Sequence, residues 1–286
     1  MSTSTTLHSP EVLLDGLFFP EGPRWHDGAL WFSDMHGHWV TTVGLDGRAH
    51  RIVEVPAAPS GLGWLPDGRL LVVSMEDRRL LRLDPDGLTE VADLSRFATF
   101  HCNDMVVDAQ GRAYVGNFGF DLYAGVPHVA TVITLVLPNG EMRIAAEGLQ
   151  FPNGTVITPD GKTLIVGESF GPRLTAFDVA GDGSLSNRRE WAPMHSAVPD
   201  GICLDAEGAI WVASPISAEV LRIVEGGTVT HRVPVSKEAF ACMLGGPQRR
   251  HLFICTATSG DPRVCRERRD GRIEVIEVDV PGAGLP

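Results

Sequence analysis

The chain has 286 residues, is 43% hydrophobic with a mean hydropathy of +0.04, and carries a formal charge of −12 with a pI near 5.2. That hydrophobic content excludes a disordered chain. The acidic balance excludes nucleic acid as a partner, because phosphate binding needs a basic face. No apolar run approaches the ~20 residues of a membrane span, so no membrane partner is expected.

Residues 1–9 are expected to be flexible and show no basic segment leading into an apolar one, so no secretory signal is read. The five cysteines, Cys102, Cys203, Cys242, Cys255 and Cys265, are odd in number and lack C-x-x-C spacing. They read as buried reduced thiols in a cytoplasmic protein. A strand is predicted at 10–14, and six similar units follow.

The first unit opens on Phe19-Pro20-Glu21-Gly22, turns at Asp27-Gly28, and continues in the apolar strand Ala29-Leu-Trp-Phe32. The second opens on Ala58-Pro59-Ser60-Gly61, with a turn at Asp67-Gly68 and strands at 70–73 and 79–83. The third opens on His101-Cys102-Asn103-Asp104 and turns at 108–111. Its long loop, 116–131, carries Phe118, Phe120 and Tyr123 and reads as a lid or pocket wall. The fourth opens on Phe151-Pro152-Asn153-Gly154 and the fifth on Val198-Pro199-Asp200-Gly201, each followed by a turn and an apolar strand. The sixth copy, Phe240-Ala241-Cys242-Met243, is looser.

The anchors Glu21, Ser60, Asn103, Asn153, Asp200 and Ala241 are 39, 43, 50, 47 and 41 residues apart. A repeat near this period, with Asp-Gly turns between strands and no sustained helical periodicity, predicts an all-β fold: a six-bladed β-propeller of four antiparallel strands per blade. One domain is expected over 1–286. The strand at 10–14 is predicted to pair as the outer strand of the last blade and close the ring, protecting both sheet edges.

Equivalent positions in successive blades point at one axis. Glu21, Asn103, Asn153 and Asp200 would meet there as an all-oxygen set suited to one divalent cation. Ca²⁺ fits such a flexible set, Mg²⁺ or Mn²⁺ would need a more regular octahedron, and Zn²⁺ also accepts carboxylates. The alternative is that Asn and Asp precede Gly only as turn formers. The neutral anchors Ser60 and Ala241 would leave room for substrate.

The phrases at 19–23, 103–104, 151–154 and 199–201 resemble the gluconolactonase, regucalcin and luciferin-regenerating-enzyme family, in order and spacing, over about residues 12–280. The resemblance implies a six-bladed propeller with one divalent metal near its axis and a lactone-hydrolysing activity. It makes Glu21, Asn153 and Asp200 metal ligands, Asn103 a fourth ligand or a substrate-binding group, and Asp200 the general base for water attack. The chain departs from the sugar-lactonase pattern at His101, where an Arg is common, and at Phe118 and Phe120, where a polar sugar contact is expected. With Tyr123 and Phe170 on the same face, the substrate reads as a small lactone or ester more hydrophobic than a sugar lactone. His101 is either a donor to the developing oxyanion or a pocket wall. His36 and His38 read as part of a polar loop near solvent, and Glu168 as a rim residue or a partner to a neighbouring blade. The rival readings are another reaction at the same metal site, such as aryl-ester or phosphotriester hydrolysis or a non-hydrolytic ring opening or isomerisation; a non-catalytic binding propeller; and an interaction propeller without an ion.

Overall fold

Asp27 (φ 48°) and Gly28 (φ 78°) both take positive φ between the strands Pro20–His26 and Ala29–Asp34. This is the type I′ geometry that matches the twist of a two-residue hairpin. Gly68, Gly111, Gly161 and Gly208 hold positive φ at the corresponding bends of the later units.

These hairpins build the architecture of the computed structural model, which describes residues 4–284. It is a six-bladed β-propeller with four antiparallel strands in each blade. The inner strands are Pro20–His26, Pro59–Trp64, Cys102–Val107, Pro152–Ile157, Ile202–Leu204 and Glu238–Gly245. In the sixth blade the outer strand is Glu11–Leu17, antiparallel to Gly271–Glu277 with Glu11 opposite Val275. The ring therefore closes on the N-terminal strand, as the sequence predicts. Part of the segment expected to be flexible is paired. Thr5–Thr6 runs parallel to Val229–Pro234 as a fifth strand of blade 5, whereas residues 1–3 lie outside the described residues.

The blades pack through apolar faces. Trp25 of blade 1 stacks on Phe253 of blade 6 at 5.5 Å, and the fully buried Tyr114 donates to the Gly183 carbonyl at 2.9 Å. Inner strands slip register at their anchors: between Glu21 and Arg24, Pro59 and Leu62, Cys102 and Met105, Pro152 and Thr155, and Ala239 and Ala241. An irregularity of this kind re-aims a side chain out of the alternating pattern, here at the repeated phrase.

The glycines after the anchors are not turn residues. A Cβ on Gly61 would lie 2.4 Å from the Met105 nitrogen, and one on Gly154 would lie 2.4 Å from the Ile202 nitrogen. One inner strand crosses the next at these points, and only glycine allows the approach. The turn-former explanation of Asn153-Gly154 thus fails, because both residues lie within a strand.

Two features depart from the sequence reading. The helix Pro262–Arg268, capped by Asp261 through the Arg263 amide, interrupts the connection between the second and third strands of blade 6. The neutral anchors open no space. Ser60 is only 2% exposed and its backbone carbonyl accepts from Ser33 Oγ at 2.6 Å, and Ala241 packs where Gly201 has no side chain. No helix among the described residues is long and apolar enough to cross a membrane.

Candidate active site

A cavity of about 170 Å³ is lined by Glu21, Asn103, Asn153 and Asp200. Four blades thus contribute one anchor each to a single space. Asn103 and Asn153 are each only 7% exposed.

The two carboxylates lack compensation. Glu21 accepts from the Gly22 amide at 2.8 Å, and among the described residues neither Glu21 nor Asp200 has a basic partner within ion-pair distance. Burial pushes Glu21 up to about 8, with the charge of Asp104 adding to the shift; the Gly22 hydrogen bond and Arg24 act against it. Burial also raises Asp200 well above the usual carboxylate range, the charge of Glu21 raises it further, and a hydrogen bond from Asn153 offsets part of the rise. Two like charges lining one small cavity either share protons or receive a cation.

The nitrogens of the two amides are used within the protein. Asn103 Nδ2 donates to the Pro152 carbonyl at 3.4 Å, and Asn153 Nδ2 to Ser169 Oγ at 3.3 Å. Ser169 in turn donates to the Pro199 carbonyl at 2.7 Å. With both nitrogens committed, both Oδ1 atoms remain as acceptors, and a divalent cation uses acceptors only. The donor set therefore fits a hard cation: two carboxylates and two carbonyl oxygens. Among the described residues no three His, Cys, Asp or Glu side chains form a metal cluster, and half of this set is carboxamide.

Beside the site, Arg24 donates to Asp104 at 2.7 Å and to the Met105 carbonyl at 2.6 Å, joining blades 1 and 3 in a buried pair. Asp104 occupies the position that glycine holds in four other units, so it is spent on this pair.

The remaining expected residues separate into two groups. Phe118, Tyr123 and Phe170 line the cavity, and Tyr123 Oη donates to the Gly260 carbonyl at 3.2 Å. His101 and Phe120 do not line it. His101 stacks on Phe100 at 4.0 Å and lies 5.9 Å from the Phe118 ring; burial lowers its pKa. Phe120 packs edge-on against Phe170 at 5.3 Å. In both cases the side chain packs on aromatic neighbours instead of lining the cavity.

His36 is buried rather than near solvent. It stacks on Phe19 at 5.1 Å, its Nε2 lies 3.3 Å from the Gly260 carbonyl, and burial lowers its pKa to about 4. His38 adopts a left-handed backbone after the short 3-10 turn at Met35–Gly37. Glu168 is neither a rim residue nor tied to a neighbouring blade: fully buried, it accepts from Arg173, Arg188 and Thr175 of its own blade 4 and from the Gln150 amide at the entry to that blade, because the strands beside it supply the donors. All five cysteines are buried and unpaired by disulfides.

The sequence reading missed Phe19, Phe151 and Val198, which line the cavity two residues before their anchors. The repeat itself could have found them. It also missed Ser169 and Gly260, whose places depend on loops without a repeating signal.

A family model described as SMP-30/Gluconolactonase/LRE-like region matches residues 19–258. Regucalcin from Xenopus laevis is 27% identical over 256 residues, covering 84% of this chain and 83% of that protein. Pentonolactonase XacC from Haloferax volcanii is 26% identical over 245 residues, covering 83% and 81%. Among solved structures, a protein described as a calcium-binding regucalcin from Agrobacterium tumefaciens matches with a TM-score of 0.83 and 22% identity over 99% of both chains.

Proposed function

Because the chain belongs to the SMP-30/gluconolactonase/LRE-like family, we propose that it is a metal-dependent hydrolase that opens lactones more hydrophobic than sugar lactones. The observation that carries this reading is that Glu21 and Asp200, two part-buried carboxylates with no basic ion-pair partner among the described residues, line one aromatic-walled cavity together with Asn103 and Asn153. A relative named pentonolactonase supports lactone opening at the family level.

Glu21, Asn103, Asn153 and Asp200 would hold one divalent cation, and Ca²⁺ suits this all-oxygen set best. When bound, the cation supplies positive charge beside the ester carbonyl. Asp200 takes the proton from the attacking water as the carbonyl carbon becomes tetrahedral, and returns it to the ring oxygen as the ester C–O bond breaks to leave a hydroxy acid. Burial makes the ionised form of Asp200 a strong base, and the Asn153 hydrogen bond holds that form in place. Glu21 keeps the site acidic enough to recruit a cation, and Asn103 orients the acyl oxygen. Phe118, Phe151 and Phe240 exclude bulk water, which strengthens each of these electrostatic effects.

The test is removal of metal with EDTA, separate re-addition of Ca²⁺, Zn²⁺, Mg²⁺ and Mn²⁺, and an indicator assay of acid release across aliphatic and aromatic lactones. Metal-dependent acid release supports the reading. Its absence with every metal and lactone refutes it.

A further inference from the structure

We infer that the substrate is a lactone bearing an alkyl or aryl substituent, with its ring over the four anchors and its substituent leaving the cavity between Tyr123 and Phe170. This rests on the lactonase reading above and extends it to the shape of the substrate.

The cavity is small. About 170 Å³ is below the roughly 300 Å³ at which sites for larger organic ligands begin. It takes a ring and little else, so anything larger must extend out of the mouth.

The walls differ from side to side. On blades 1 and 6, Phe19, Met35 and Phe240 line the cavity and are no more than 7% exposed. Around blades 3 and 4, Tyr123 and Phe170 line the same cavity yet remain 41% and 47% exposed. The open side is thus the one bearing Tyr123 and Phe170.

That side is rigidly built. Phe170 stacks on His128 at 5.0 Å with ring planes 2° apart, meets Phe120 edge-on at 5.3 Å, and lies 5.3 Å from Phe151. Phe151 lies 4.6 Å from Phe118. The rings Phe118, Phe151 and Phe170 run without a break from the cavity to solvent. Ordered, half-wet apolar surface continuous with a pocket gains most from an apolar ligand.

The same wall offers little to a sugar. Its two side-chain hydroxyls, Tyr123 Oη and Ser169 Oγ, already donate to the Gly260 and Pro199 carbonyls. Neither can therefore donate to a substrate hydroxyl, and away from the four anchors the wall offers a sugar's hydroxyls few partners, which is the basis on which polar sites discriminate.

The test compares kcat/KM for γ-butyrolactone, its 4-alkyl derivatives of two to eight carbons, and gluconolactone, with wild type and Phe170→Ala. The expected result is a rise of roughly threefold per methylene over the first few carbons, with gluconolactone the poorest of the set. Phe170→Ala should reduce the ratio of the hexyl to the unsubstituted lactone by at least about fivefold. A flat wild-type series, or a preference for gluconolactone, overturns the inference while leaving lactonase activity intact; should Phe170→Ala not fold, the wild-type series decides alone. If no lactone is hydrolysed, calorimetry with the matching alkyl lactams separates the two ideas. Affinity that grows with chain length keeps the apolar exit and rejects hydrolysis, whereas no binding rejects both.

Discussion

Ser169 Oγ lies 3.3 Å from Nδ2 of Asn153 and donates its one hydrogen to the Pro199 carbonyl at 2.7 Å. Towards Asn153 the hydroxyl can only accept, so the amide presents its nitrogen to Ser169 and keeps its oxygen free to accept. One side chain of blade 4 thereby sets a carbonyl oxygen for a cation and ties it to the segment carrying Asp200. Ser169→Ala should weaken Ca²⁺ binding about 10- to 100-fold, the usual effect of losing a residue that orients a ligand. Ser169→Thr, which keeps the hydroxyl, should bind nearly as wild type. Calorimetric titration of both variants checks this; equal affinities for wild type and Ser169→Ala would remove Ser169 from the account.

Cation binding should release protons. Without a cation Glu21 titrates near 8, raised chiefly by burial, and Asp200 is raised alongside it. Below pH 8 protons compete with the cation, so affinity should climb as pH rises from 6 to 8 and level off above. Titration at pH 6 in buffers of different ionisation enthalpy should show at least one proton released, and the number should fall as pH rises through 8.

The same shift governs stability. A carboxyl raised in the fold from 4.5 to about 8 contributes stability that is fully present below 4.5 and lost as pH rises through 8. Metal-stripped protein should therefore lose on the order of 3–5 kcal/mol between pH 5 and pH 9. Excess Ca²⁺ should abolish the loss, because it takes over the role of the protons. Urea unfolding at the two pH values, with and without Ca²⁺, reads both effects.

Glu168 provides a control outside the chemistry. Its carboxylate is fully buried and bonded to Arg173 and Arg188, whose side chains are about a third exposed. Burial alone would raise it, but the bonds from Arg173, Thr175 and Gln150 hold it below the usual carboxylate range. Glu168→Gln should cost about 2–3 kcal/mol, the lower part of the range for a broken buried pair because the arginines remain hydrated. The Ca²⁺ affinity of the folded variant should match wild type.

How much of this was legible in the sequence follows from where the information resides. The anchors were legible because six blades repeat one phrase and a propeller turns repetition into convergence. Ring closure by Glu11–Leu17 was legible because an apolar strand precedes the first anchor and a closed ring protects both sheet edges. The place of His101 was not, because its stacking on Phe100 and Phe118 is a tertiary choice that local spacing does not encode. The helix Pro262–Arg268 is one short stretch, too brief for periodicity to appear, although Asp261-Pro262 is a usable start signal. Ser169 was illegible for a related reason: its partners belong to two different blades.

The glycine after each anchor yields a steric prediction. Gly154→Ala places a Cβ 2.4 Å from the Ile202 nitrogen and 2.6 Å from the Asp200 carbonyl oxygen. Backbone cannot yield as a flexible side chain would. The variant should lose at least about 3 kcal/mol in urea unfolding and also weaken Ca²⁺ binding, since the displaced segment carries Asp200. Wild-type stability in Gly154→Ala would mean that the blades are less tightly apposed than described.

The central claim is that Asp200 both holds the cation and serves as the base. The most direct measurement is kcat for a 4-alkyl γ-lactone at saturating Ca²⁺ in wild type and Asp200→Ala, with Ca²⁺ occupancy determined in the same samples. The account predicts a loss of at least ~100-fold in kcat, the low end for a positioned general base. Near-normal turnover in Asp200→Ala with the cation still bound would contradict it.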